Sequence, residues 1–357
     1  MGQIMTVTGP IAPEKLGITM SHLHLLIANL AFWQEPQELS RRVYANAPVS
    51  MSILGRLRRQ GSANRDNLIK DSIDEAIEEL NNFRMAGGNS IVECSVEGLG
   101  RDPVGLAKIS RMTGINVITS AGYYIAASHQ PYIKTRTVEQ LCDQMVHDLT
   151  IGFGTTGIKA GNIKIAVSGI EPGVPFYGNL SEKAFSKDEE KILRAAARAS
   201  AKTGAPLGVH PNMFGKHSEA YLNVIKEEGA DVKKFVCFHM EMYLPDVEYI
   251  KSILKSGCWV SFDQFGEEFY SDGVYPGWHW PFDSERIDGL VALIKAGFIN
   301  QLVISNECVF KCDMRKYGGY GMAHFLENIV PVLKYRGVTD EQLHTILVEN
   351  PRKVLTF

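Results

Sequence analysis

Residues 103–122 read PVGLAKISRMTGINVITSAG, and this stretch sets the pattern of the chain. Pro103 opens an amphipathic run that ends at Thr113, and Gly114 stands where a helix closes in the left-handed conformation. Asn116 to Gly122 then form a β-branched run suited to a buried parallel strand. The same helix, glycine, strand order recurs in both directions. Candidate strands cover 17–26, 90–95, 116–122, 162–167, 206–210, 235–239, 259–265 and 301–307. Helical runs cover 66–85, 103–113, 138–150, 187–202, 218–228, 247–256 and 284–296, and the pair 323–335 and 341–348 closes the chain. Gly88, Gly114, Gly204, Gly229, Gly257, Gly297 and Gly337 each follow a helical run, as left-handed caps would. Eight such units with no polar linker or composition shift predict a closed (β/α)8 TIM barrel, an α/β fold, rather than an open doubly wound sheet. Residues 1–357 therefore read as one domain. Two insertions, 27–65 and 266–283, follow the first and seventh strands, at the end of the barrel where such folds build their sites.

Composition narrows the function. The 357 residues carry 37 Lys and Arg against 40 Asp and Glu, a net charge of −3 that offers no footprint for nucleic acid or an anionic membrane. A small-molecule substrate is the expected partner. The cysteines (94, 142, 237, 258, 308, 312) form no CxxC pair, which argues against a disulfide framework or a zinc ribbon and fits a reducing compartment. No stretch approaches the roughly 18 apolar residues of a membrane span, and the first residues lack the regions of a signal peptide, so the expectation is a cytoplasmic protein.

The histidines carry the chemistry. His22 and His24 lie two apart in strand one and share a face, while His210 and His239 end strands five and six. Four imidazoles at one barrel mouth point to a metal site. His217 and His279 fall on loops that could border the pocket. Strand four, NIKIAV, carries Lys164 between apolar residues, a costly position unless the amine is paired or altered. It could form a Schiff base with a carbonyl substrate, or take up carbon dioxide to give an anionic oxygen ligand between two metal ions. The nearby imidazoles favour the second. Glu307, at the end of strand eight, could ligate a metal, accept the proton of a metal-bound water, or cap the following loop. In the strand-seven insertion, Phe269, Tyr270, Tyr275, Trp278 and Trp280 suit an apolar or aromatic substrate portion, and Lys311 and Arg315 could hold an anionic group. Exposed aromatic loops also make a homodimer an expectation.

With SHLHLL (21–26), AGNIKIAVSG (160–169), TGAPLGVHPN (203–212), FHM (238–240), SNECVF (305–310), RKYGGYGMAHFLENIVPVL (315–333) and ILVENPRKVL (346–355), the sequence resembles the phosphotriesterase-like members of the amidohydrolase superfamily over nearly its whole length. The resemblance implies a binuclear centre, zinc first, with manganese, cobalt or iron as alternatives. It places His22 and His24 on the more buried metal, Lys164 as the carboxylated bridge, and His210 and His239 on the more exposed metal, with Tyr124 bordering the site. It implies a hydroxide shared by the two ions that attacks a carboxyl ester, a lactone foremost, while Glu307 manages the proton. An N-acyl amide or a phosphotriester would use the same site. A Lys164 Schiff-base lyase and a non-catalytic binding protein are the alternatives from other classes. The family's strand-eight residue is normally Asp where this chain has Glu307, its His-Glu-His becomes His22-Leu23-His24, and Met242 stands where many members place an Asp.

Overall fold

Thr19–Leu23 (β1), Ser90–Glu93 (β2), Asn116–Ala121 (β3), Asn162–Ala166 (β4), Leu207–His210 (β5), Phe235–Cys237 (β6), Trp259–Phe262 (β7) and Leu302–Ile304 (β8) lie side by side in chain order as one eight-stranded parallel sheet. Each of the eight predicted strands is present, trimmed by one to five residues in all at its ends. The sheet curls until its edges meet. Leu23 bridges Glu307 in parallel, and the His24 N–H donates to the Glu307 carbonyl at 3.1 Å, so the seam is stitched by residues of the predicted site. This computed structural model describes residues 2–33, 35–36, 39–174, 176, 179–270 and 279–357.

Alternation holds from His22 to His24, which share the inner face with Leu23 turned outward, and fails on the Met20 side. Met20 and Leu23 both pack outward against the helices, three residues apart, which simple alternation forbids. The register between β1 and β2 shifts between Met20 and Leu23, and this irregularity lets both apolar residues reach the outer core while His22 and His24 face inward. Inside the lower barrel, Val92, Cys94, Ile118, Val236, Phe238 and Val303 fill the interior. Gly122, at φ 122°, lets β3 run against β4: a Cβ there would lie 2.0 Å from the Lys164 carbonyl oxygen.

The helices follow the predicted runs with physical corrections. Pro103–Thr113 and Val138–Thr150 match the expectation. The run 66–85 shortens to Ile73–Met85, because Ser72 caps it by accepting from the Glu75 N–H. Its left-handed residue is Gly87 (φ 99°) rather than Gly88, whose bare Cα instead lies against the Phe83 ring. In the closing pair, π-helical turns at Phe325–Ile329 and Thr345–Glu349 break the α-helical runs, and Asn350–Leu355 adds a helix that the pattern did not show. A hairpin of three-residue strands, Ile4–Thr6 and Gly9–Ile11, was too short to show a period. All six cysteines are buried and unpaired. Among the described residues no helix is long and apolar enough to cross a membrane.

Glu189 ties the loops after β3 and β4 to the helix Lys187–Thr203. Its buried carboxylate accepts from the N–H groups of Ala126 (3.0 Å), Ser168 (3.0 Å), Gly169 (3.0 Å) and Ser186 (2.7 Å) and from the Ser168 hydroxyl (2.7 Å). Glu189→Ala strands all five donors, so a loss of about 3–5 kcal/mol is expected in denaturant unfolding. A loss below about 1 kcal/mol would show that water replaces the carboxylate freely.

Candidate metal centre

The C-terminal ends of β1, β4, β5, β6 and β8 bring His22, His24, Lys164, His210, His239 and Glu307 together, each at most 6% exposed. Glu307 Oε1 lies 3.6 Å from His239 Nε2, 3.8 Å from His22 Nε2 and 3.9 Å from His24 Nε2. The His210 ring centroid is 4.6 Å from that of His239, and Lys164 Nζ sits 5.0 Å from the centre of the Tyr124 ring. His239 (φ 56°) and Glu307 (φ 35°) have left-handed backbones, an unusual cost for non-glycine residues that turns both side chains into the mouth.

Asp263, just past β7, was not singled out from the sequence and organises the cluster. Its Oδ2 is 3.1 Å from His22 Nδ1 and its Oδ1 is 2.7 Å from His239 Nδ1. A carboxylate only accepts, so both Nδ1 atoms carry hydrogen, and both Nε2 atoms face Glu307. Those two Nε2 atoms are buried with no hydrogen-bond partner. Burial would raise the Asp263 carboxyl, but His239 and His22 hold it far below the usual carboxylate range. Burial pushes the His24 and His210 imidazoles well below their ordinary value, and Lys164 adds to the shift of each. His22 is lowered by burial as well. Burial opposes charge on His239 too, yet Asp263 and Glu307 outweigh it and push its pKa up to about 9. The lowered values of His22, His24 and His210 favour neutral imidazoles, the form in which a ring nitrogen can ligate a metal, whereas His239 is held toward its charged form until a cation displaces its proton.

Three further residues hold this arrangement. The Glu241 carboxylate accepts from the backbone N–H groups of Asp263 (2.8 Å) and Gln264 (2.6 Å), fixing the chain after β7. Gln264 Nε2 donates to Glu307 Oε2 at 2.9 Å. Lys70, buried on the insertion after β1, donates from Nζ to the carbonyls of His24 (2.5 Å) and Cys308, tying β1 to the end of β8.

A family model described as the Phosphotriesterase family matches residues 2–355. The chain belongs to this family. Among its relatives, the N-acetyltaurine hydrolase of Xenopus tropicalis is 34% identical over 360 residues, and the human N-acetyltaurine hydrolase is 30% identical over 357 residues. Both alignments cover 100% of this chain and 98% of the relative. A resiniferatoxin-binding protein from Rhodobacter sphaeroides superposes with a TM-score of 0.90 at 34% identity, covering 99% of this chain and 95% of that one. The chain is a phosphotriesterase-family hydrolase.

In this hydrolase the donor set fits a pair of divalent ions. Donor atoms of His22, His24 and Glu307 lie within 4.8 Å of one another, as do those of His210, His239 and Glu307. Mixed nitrogen and oxygen donors suit zinc and its first-row neighbours. His22, His239 and Asp263 form a third such group, but the Asp263 oxygens are at hydrogen-bonding distance from Nδ1 atoms, which makes Asp263 an orienting group. Asp263→Asn is expected to weaken metal binding about 10- to 100-fold in a chelator competition, and unchanged affinity would remove it from that role.

Above the cluster lies a pocket that encloses, together with the solvent at its mouth, about 780 Å³, lined by residues from both insertions and the loops after β3, β4, β5, β7 and β8. Tyr124, Phe269, Tyr270 and Trp280 line it, as does Phe32 of the first insertion. Tyr275 and Trp278 lie outside the described residues. Lys311 and Arg315 do not line it: Lys311 Nζ is 2.5 Å from Asp66 Oδ1, and Arg315 pairs with Glu327. The expectation that they face the substrate is corrected, since both are turned onto acids of neighbouring segments. His217 stands at the start of the helix Ser218–Glu227, and His279 stacks on Phe282 with ring centroids 4.9 Å apart. Neither lines the cavity.

Proposed function

We propose that this hydrolase works with two divalent ions, zinc in the first place, and cleaves a carboxyl derivative, either an N-acyl amide or an ester, lactones included. His22 and His24 would hold one ion and His210 and His239 the other, with Glu307 facing both and Lys164 between them as its carbon dioxide adduct. Ions in such a site supply a nucleophilic water at neutral pH and polarise the substrate carbonyl. The observation that carries the reading is the convergence of three buried imidazole Nε2 atoms, two of them without a partner, on one carboxylate oxygen.

The chain's own residues then divide the work. Glu307 Oε1 is placed to take up the proton of the attacking water, and Gln264 holds the other carboxylate oxygen still. Relatives named N-acetyltaurine hydrolase at 30–34% identity support the amide. The sequence alone put a lactone first, and a phosphotriester would meet the same ligands. The test is metal content by elemental mass spectrometry together with a panel of amides, esters, lactones and a phosphotriester. About two ions per chain and turnover abolished by a chelator are expected. A metal-free protein with full turnover would overturn the reading.

A further inference from the structure

The cavity has an unusual charge distribution for a site whose relatives are named for an anionic amide. Among the described residues neither Lys nor Arg lines it. The residues outside the description, SDGVYPGW at 271–278 together with Gln34, Gln37, Glu38, Pro175, Tyr177 and Gly178, contain neither Lys nor Arg either. Of the cations near the wall, Lys311 pairs with Asp66, Arg315 with Glu327, Arg58 donates to the Gly318 carbonyl and Lys70 to the carbonyls of His24 and Cys308, while Arg59, next to Gln60 in the chain, is exposed and does not line the cavity. What the lining offers instead is aromatic surface, including Phe32, Phe176, Phe214, Phe269, Trp280 and Phe310, and two buried acids, Glu267 and Glu307.

A sulfonate or carboxylate moved from water against these rings would lose its hydration and gain no counter-ion, at a large cost. A neutral apolar group would gain from the same transfer. We propose that the cavity takes the neutral, apolar or aromatic portion of the substrate and discriminates against substrates whose distal end is anionic, N-acetyltaurine among them. The substrate class rests on the acyl-hydrolase reading above. The wall's preference rests on the cavity alone. Gln60, a neutral residue of the wall, is then a specificity-determining position, because a cation there would supply the missing counter-charge.

The test compares two amides with the same acetyl group, N-acetylphenethylamine and N-acetyltaurine, and the matching acetate esters of 2-phenylethanol and isethionate. These are turned over by the metal-loaded enzyme, and the two free alcohols are titrated by calorimetry. The neutral member of each pair should exceed the anionic one at least about 100-fold in kcat/KM, and 2-phenylethanol should bind more tightly than isethionate. Gln60→Arg should shift the ratio toward the anion at least about tenfold. Turnover of N-acetyltaurine equal to or above that of its neutral partner, or isethionate binding as tightly as the alcohol, overturns the inference. Selective binding of the neutral alcohol with no cleavage of any of the four supports the inference and overturns the acyl-hydrolase reading instead.

Discussion

Lys164→Arg is expected to reduce bound metal from about two ions per chain to one or fewer and to lower kcat/KM by at least about a thousandfold, some 4 kcal/mol of transition-state stabilisation. The lysine is 1% exposed in β4, beside the candidate metal-holding imidazoles, and among the described residues no carboxylate forms an ion pair with its Nζ. Burial pushes its pKa down, with Cys94, Glu307 and Glu93 opposing, so the neutral amine is more accessible than on a surface lysine. Only the neutral amine adds carbon dioxide: the ammonium first gives up one proton, the N–C bond forms as a second proton leaves the nitrogen, and a cation has become an anion. Arginine keeps the length and the charge but stays protonated, so it places a fixed cation between two ions. The check is a metal count with a ¹³C-bicarbonate NMR experiment, in which a carbamate carbon signal is present in the wild type and lost in the variant. Two ions retained in Lys164→Arg would show that the lysine does not bridge.

Lys164 also shows why so much of the site was legible in the sequence. An ammonium inside a strand whose neighbours are all apolar has no ordinary explanation, and four histidines at strand ends supplied a chemical one. The strands themselves were legible because they are short apolar runs, most of them set off by a helix that ends at a glycine; Val138–Thr150, which closes at Ile151, is an exception. Asp263 carried the same kind of signal, an acid inside the predicted strand 259–265, but a lone acid near a strand end looks like a loop cap until His22 and His239 are seen on either side of it. Glu241, Gln264 and Lys70 left no pattern, since their partners are backbone groups or side chains far away in the chain. The outward turn of Met20 alongside Leu23 depends on an irregularity in β1 that only strand pairing reveals. Lys311 and Arg315 were misplaced for a related reason: nearness to Glu307 in the chain does not fix direction, and Asp66 and Glu327 claim their charges.

Glu307→Gln should lower kcat about 10²- to 10⁴-fold, the range for loss of a positioned general base. Glutamine keeps the size and an oxygen for the imidazole side but cannot take a proton at neutral pH. Glu307→Asp keeps the proton acceptor and draws it back by about one C–C bond, roughly 1.5 Å. Its oxygen then retreats from the three Nε2 atoms now 3.6–3.9 Å away and from Gln264 Nε2 at 2.9 Å. Water or metal can span that gap more readily than a missing base can be replaced, so Asp should stay within about tenfold of the wild type. The backbone makes the comparison clean. With φ at 35°, position 307 charges a similar conformational cost to glutamate and glutamine, and aspartate tolerates that region better than either. A fall with Gln and near-retention with Asp therefore reports proton transfer rather than folding. Full activity in Glu307→Gln would exclude the base role, and a large gain in Glu307→Asp would show that the longer side chain restrains this centre.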